Sequence, residues 1–107
     1  MKLVKNKLAP HLNQIYFYLV AILILRLDLV FLNTMPTGGD MGAHVVPIKY
    51  FIENFALNLQ LNGWSNDWFA GYPLYFFYFP FPAIVTFLLN LVFPYGVAFK
   101  LMVIGSI

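Results

Sequence analysis

Two short stretches of the sequence place acidic, histidine and aromatic residues at spacings that could do chemistry. In the first, TGGDMGAH, Asp40 follows two glycines and precedes His44 by four residues. A carboxylate held near a substrate hydroxyl can act as a general base, and it can also ligate a divalent metal. In the second, Trp64 and Trp68 flank Asp67, a pattern typical of a sugar-binding surface where rings stack beside a hydrogen-bonding carboxylate.

Each of these residues also has a structural interpretation. Asp40 could be the N-cap of a following helix, and His44 an interfacial polar residue. Aromatic side chains with polar tips concentrate at membrane–water interfaces, which would account for most of the ten rings between positions 64 and 81. The residue types alone therefore leave both roles open.

The composition predicts an all-α protein embedded in a membrane. Of the 107 residues, 62% are hydrophobic and only 9% are charged, with a mean hydropathy of +0.79; soluble domains carry about 25% charged residues. The absence of cysteine excludes disulfides, thiolate metal sites and cysteine nucleophiles. The sequence contains no phosphate-binding glycine loop and no nucleic-acid-binding motif, so neither a nucleotide nor a nucleic acid is an expected partner.

Three apolar segments are predicted to lie in the membrane. The first, residues 15–32, would form a helix of about 27 Å, close to the hydrocarbon thickness of about 30 Å; a cleaved signal peptide is the alternative. The second, residues 74–93, contains Pro80 and Pro82, and its regular helix is expected to begin there. The third, residues 97–107, is apolar to its end. We therefore expect an N-terminal fragment of a larger polytopic protein, with about three transmembrane segments.

Two charged residues, Arg26 and Asp28, fall inside the first apolar segment. Each would cost about 2.5–3.5 kcal/mol at the centre of a bilayer. Residues two apart on a helix point to different sides, so the two are not expected to pair with each other. They are interpreted either as snorkelling towards the outer interface or as facing the interior of a helix bundle.

The distribution of basic residues predicts the orientation of the chain in the plasma membrane. Lysines at positions 2, 5 and 7 precede the first span, which assigns residues 1–14 to the cytoplasm. Residues 33–73 then form an outer loop. Within it, apolar residues recur every three or four positions from 47 to 59, which predicts an amphipathic helix at the membrane interface. Because Pro47 lacks an N–H, residues 41–46 are expected to form a separate turn or short helix.

Three motifs in order, GGDMGAHVVPIKYF, LNGWSNDWFAGYPLYFFYFPFPAI and FPYGVAFKL, resemble the N-terminal part of a family of large polytopic bacterial and archaeal membrane proteins. That family is catalogued as the 6-pyruvoyl-tetrahydropterin-synthase-related membrane domain, and the resemblance covers residues 36–105. It implies no pterin cofactor, because the soluble synthase relies on a histidine zinc site and this chain has only His11 and His44. The layout is also similar to the start of glycosyltransferases of the C superfamily (GT-C), in which a transmembrane helix leads into an outer loop with an acidic residue.

The second resemblance implies transfer of a sugar from a polyprenyl-phosphate donor at the outer membrane face. Asp40 matches the loop acid, which in those enzymes is a general base or helps to hold a divalent metal such as Mg²⁺ or Mn²⁺. His44 would then orient a phosphate or an acid, while Trp64, Asp67 and Trp68 would contact the sugar. Membrane lipid and the remaining helices of a full-length protein are the other implied partners.

The alternative is a non-catalytic membrane transporter or scaffold component. In that case Arg26, Asp28 and Asp40 would form ion pairs within a helix bundle, and their replacement would disturb folding rather than catalysis.

Overall fold

The chain divides into two compact units, Met1–Phe31 and Leu32–Ile107. A computed structural model describes residues 2–106, and the side chains of residues 11–106. The residues predicted to do chemistry, from Asp40 to Trp68, all belong to the second unit. The orientation of the chain was predicted from the lysines at positions 2, 5 and 7, whose side chains lie outside the described residues. Ile107 also lies outside them.

The first unit contains two helices, α1 (Lys2–Leu25) and α2 (Leu27–Val30), separated by a single residue. That residue, Arg26, adopts the left-handed helical conformation with φ 46° and ψ 60°. An L-residue in this conformation cannot continue a right-handed helix, so α1 ends before it. The apolar stretch of the sequence is therefore interrupted at Arg26.

Arg26 and Asp28 pair with each other, and the prediction that they would not is wrong. The guanidinium donates two hydrogen bonds to the carboxylate, from Nε to Oδ1 at 2.9 Å and from Nη2 to Oδ2 at 2.8 Å. The prediction assumed a continuous helix, whereas the left-handed Arg26 turns its side chain to the same side as Asp28. Both side chains are exposed, and the hydrogen bonds from Arg26 lower the pKa of Asp28.

The prediction of a polytopic membrane protein with about three transmembrane segments is also wrong. Among residues 2–106, no helix is both long enough and apolar enough to cross a membrane. Segment 15–32 is broken at Arg26, which leaves roughly 16 Å of apolar helix at the end of α1. Segment 74–93 contributes a helix of ten residues, and segment 97–107 belongs to a helix of 11 residues.

The second unit is built from three α-helices, one 3₁₀ turn and a β-hairpin. The elements in chain order are α3 (Met41–Asn54), a 3₁₀ helix (Ala56–Asn58), β1 (Gly63–Ser65), β2 (Tyr72–Leu74), α4 (Phe81–Asn90) and α5 (Tyr95–Gly105). The strands pair antiparallel, with Gly63 opposite Leu74 and Ser65 opposite Tyr72. Because of these two strands, the prediction of an all-α fold is wrong. Helix α4 does start where Pro80 and Pro82 indicated that a helix would start.

Helix α3 is continuous through Pro47, and the predicted division into a turn at 41–46 and a helix at 47–59 is not observed. Proline in a helix removes one backbone hydrogen bond, here the bond to the carbonyl of Ala43. Packing compensates, because the following turn buries Ile48, Phe51 and Ile52. The hydroxyl of Tyr95 also donates a hydrogen bond to the carbonyl of Val45 within this part of the helix.

The core of the second unit lies where α3 packs against α4 and the hairpin, with α5 packed on α4. Phe51, only 2% exposed, contacts Phe55 and Tyr75 edge to face, with ring centroids 6.4 Å and 5.5 Å away. Gly63 in β1 approaches the ring of Phe55 so closely that a Cβ atom there would lie 2.5 Å from Cζ. Helix α3 is thus fixed against the hairpin by aromatic contacts.

Two tyrosines of this core predict loss of stability in alkali. Burial raises the pKa of Tyr75 well above its usual value of about 10. The pKa of Tyr95 is raised mainly by burial, and also by its electrostatic interactions with Tyr75 and Glu53. The folded state favours the neutral form of both phenol groups. Their contribution to the free energy of unfolding is therefore fully present below pH 10 and is lost as the pH rises above 10.

We expect the free energy of unfolding to fall above about pH 10, by less than about 1.4 kcal/mol per pH unit for each tyrosine because both are partly exposed. Urea unfolding between pH 8 and pH 11 measures this slope. Tyr75→Phe should flatten the profile, whereas Tyr16→Phe, at a 70% exposed position, should not. A profile that is flat in the unmodified chain would contradict the prediction.

Candidate functional site

Asp40, His44 and Trp68 line a common cavity of about 470 Å³ in the second unit. We call it the aromatic cavity, because six of its lining residues are aromatic: Trp68, Phe69, Tyr72, Tyr75, Tyr78 and Phe79. The remaining lining residues are Asp40, Ala43, His44, Pro47, Ile48, Leu74 and Pro82. Its volume and its mostly apolar wall with a few polar groups are those of a small-molecule site.

The polar edge of the aromatic cavity is a carboxylate–imidazole pair at the start of α3. Asp40 occupies the N-cap position after a turn in which Gly38 and Gly39 have φ of 105° and 54°. Its side chain makes no cap hydrogen bond within the described chain, which argues against a purely capping role. The carboxylate instead faces His44 one turn later, with Oδ2 3.4 Å from Nε2.

This pair is accessible to solvent and to a ligand. The side chains are 81% exposed for Asp40 and 61% for His44. An exposed pair of this kind contributes little to stability, on the order of 0–1 kcal/mol. The two groups are therefore available for hydrogen bonds to a molecule in the cavity.

Pro47 adds a further acceptor at the same edge. Because proline has no N–H, the carbonyl of Ala43 has no backbone donor four residues later in α3. Ala43 and Pro47 both line the aromatic cavity, next to Asp40 and His44. A hydroxyl or ammonium group of a ligand could donate to this carbonyl.

The opposite wall is supplied by the hairpin loop and the segment after β2. The rings of Trp68 and Phe69 meet edge to face at 5.3 Å. Phe69, Ala70 and Tyr75 have positive φ of 51°, 59° and 58°, and Gly71 has φ 126°. Non-glycine residues in this conformation cost about 1–2 kcal/mol each, and such strain is often found where a binding site fixes its side chains.

Trp64 and Asp67, which were predicted to contact the same ligand, do not line the aromatic cavity. The indole of Trp64 covers Gly71, where a Cβ atom would lie 2.5 Å from Cζ2. The backbone N–H of Asp67 donates to Ser65 Oγ at 3.4 Å. Of the predicted triplet, only Trp68 lines the cavity.

Five cavity aromatics were not identified as site residues from the sequence, where they were assigned to an interfacial belt: Phe69, Tyr72, Tyr75, Tyr78 and Phe79. One signal in the sequence does predict a hairpin. It is the turn-forming cluster Ser65–Asn66–Asp67, followed by Gly71. The hairpin places Ser65 opposite Tyr72, but its strands are too short for a recognisable alternation.

The residues around Asp40 provide only part of the ligand set that the expected divalent metal would need. Among the described residues there is no group of three His, Cys, Asp or Glu side chains that could hold a metal ion. Asp40 with His44 offers two donors, and Mg²⁺ is often held by one or two carboxylates together with substrate phosphates. The residues do not form a metal site by themselves.

The formal charges at the aromatic cavity are few. Within the part of the chain whose side chains are described, Asp40 is the one carboxylate of the lining, His44 adds a positive charge only when protonated, and the lining includes no lysine or arginine. The nearest charges along α3, Lys49 and Glu53, form an exposed pair at 3.8 Å outside the lining. The cavity is thus suited to a neutral or cationic group more than to an unshielded anion.

Comparison with known proteins gives no relative: no family model matches the chain, and neither a curated protein nor a solved structure is similar to it.

Proposed function

We propose that the aromatic cavity binds the sugar of a polyprenyl-phosphate donor and that Asp40 promotes its transfer to an acceptor hydroxyl. The observation that carries this proposal is the Asp40–His44 pair, 3.4 Å apart, at the edge of a cavity walled by six aromatic rings. Rings offer faces on which the apolar side of a sugar stacks, and the acidic edge offers acceptors for its hydroxyl groups.

The transfer step needs a base at the acceptor and a donor of hydrogen bonds at the leaving group. The acceptor oxygen forms a bond to the anomeric carbon while the bond from that carbon to the phosphate oxygen breaks. Asp40 takes the proton of the acceptor hydroxyl, and His44 donates a hydrogen bond to the departing phosphate. The products are the glycosylated acceptor and polyprenyl phosphate.

Exposed rings at the cavity rim support a lipid-linked donor. Phe69 is 80% exposed and Phe79 is 78% exposed, although both also line the cavity. A polyprenyl chain leaving the sugar would bury part of this apolar surface, at about 25 cal/mol per Å². A free, water-soluble sugar phosphate would bury less of the apolar surface of these rings.

The proposal is tested by transfer of radiolabelled sugar from a panel of polyprenyl-phosphate sugars to hydroxyl acceptors. Trp68→Ala should raise the KM for the donor about tenfold, because stacking on one aromatic side chain is worth about 1–1.5 kcal/mol. Phe77→Ala is the matched control, since Phe77 is 81% exposed and lies outside the cavity lining. Absence of transfer from every donor by the unmodified chain would overturn the proposal.

The non-catalytic alternative required Arg26, Asp28 and Asp40 to pair with other helices. Arg26 and Asp28 instead pair with each other, and Asp40 faces His44. These local pairs favour the sugar-transfer proposal over a transporter or scaffold.

A further inference from the structure

We infer that the sugar held in the aromatic cavity is an amino sugar, bound through its protonated amine. This inference rests on the proposed function and specifies the substrate class of the same site. It is carried by the combination of a carboxylate, a helix carbonyl four residues before a proline and a wall of aromatic rings.

The charge of the cavity selects a cation. Among the lining residues from the described range 11–106, Asp40 is the only carboxylate, and no lysine or arginine opposes it. His44, the described lining residue that could carry a positive charge, is neutral in its unprotonated form and can then accept a hydrogen bond. A protonated amine entering the cavity therefore meets a negative edge with no fixed positive charge among the described lining residues.

The aromatic wall adds to this preference. The faces of tryptophan, tyrosine and phenylalanine rings carry negative electrostatic potential and attract an ammonium group within about 6 Å. Six such rings line the cavity, and Trp68 is held in place by its edge contact with Phe69. A neutral hydroxyl at the same position would gain the hydrogen bonds but not the attraction to the rings.

The hydrogen-bonding groups at the cavity edge also match an ammonium. An ammonium has three donors and no acceptor. The carboxylate of Asp40 and the carbonyl of Ala43, which Pro47 leaves without its helical donor, both accept. The edge therefore offers acceptors in excess, which a cation uses better than a neutral group that also needs donors.

The test compares three methyl glycosides that differ at one substituent: methyl glucosaminide, methyl glucoside and methyl N-acetylglucosaminide. Binding to the 107-residue chain is measured by titration calorimetry near neutral pH. We expect the amine to bind at least about tenfold more tightly than the hydroxyl and the acetamide. Equal binding of all three would overturn the amino-sugar inference while leaving the sugar site in place.

Asp40→Asn and Glu53→Gln separate a specific contact from a general effect of charge. Each removes one carboxylate from α3 or its N-cap, but only Asp40 lines the cavity. Asp40→Asn should abolish the preference for the amine, so that methyl glucosaminide and methyl glucoside bind equally, whereas Glu53→Gln should keep the preference. A preference that survives in Asp40→Asn overturns the inference, and no binding of any glycoside by the unmodified chain overturns the proposed function together with it.

Discussion

Replacement of Asp40 by asparagine is expected to lower the rate of sugar transfer by about 100-fold or more. A positioned general base contributes about 10²–10⁴ to a rate, and an amide cannot accept the proton of the acceptor hydroxyl. Asparagine keeps the size of the side chain, so kcat at saturating donor reports the loss of the base, whereas loss of the contact between the carboxylate and a protonated amine appears in KM. The measurement is transfer of labelled sugar at saturating donor, with kcat and KM determined separately.

The same variant should leave stability almost unchanged, which distinguishes catalysis from folding. Asp40 is 81% exposed, makes no cap hydrogen bond within the described chain and faces an imidazole that is itself 61% exposed. Removal of such a pair alters the free energy of unfolding by on the order of 0–1 kcal/mol. Glu53→Gln, at another exposed carboxylate, is the control and should retain full activity. Transfer by Asp40→Asn at the unmodified rate would refute the role of Asp40 as a base.

Phe51→Ala is expected to produce the largest loss of stability, about 3–5 kcal/mol. Phe51 is 2% exposed, and its ring contacts Phe55 of the same α-helix turn and Tyr75 after the hairpin. Truncation of a buried phenylalanine to alanine removes transfer free energy and leaves a void that the surroundings fill only in part. Because Tyr75 also lines the aromatic cavity, ligand binding should weaken as well.

Chemical denaturation of Phe51→Ala and of Phe77→Ala provides the comparison. Both changes delete one phenylalanine ring, but Phe77 is 81% exposed and its loss should cost less than about 0.5 kcal/mol. Equal effects of the two substitutions would show that the packing of α3 against Tyr75 does not stabilise the second unit.

The sequence predicted some helices well and others badly, and backbone conformation at single residues explains the difference. Pro80 and Pro82 marked the start of α4, because proline is accepted in the first turn of a helix. Pro47 was wrongly interpreted as a boundary, since packing of Ile48 and Phe51 outweighs the one hydrogen bond that it removes. The left-handed conformation of Arg26, which ends the apolar helix, was not predictable from the sequence, because arginine rarely adopts it.

The candidate site was predictable only in part. Asp40 and His44 are four residues apart, so a helix starting at Met41 brings them together without any long-range contact. Trp68 joins them through the hairpin, whose strands of three residues left no pattern in the sequence. Trp64 and Trp68 are also four apart, but the ring of Trp64 in β1 covers Gly71, and only Trp68 lines the cavity.

The separation of the two indoles gives the chain two independent optical probes. Trp64 lies over Gly71, so its emission reports whether the hairpin is closed. Trp68 lines the aromatic cavity, so its emission is the one that a bound ligand quenches or shifts. Trp64→Phe would leave a single fluorophore inside the cavity, and Trp68→Phe a single fluorophore outside it. Occupancy can then be followed in the first variant and unfolding in the second.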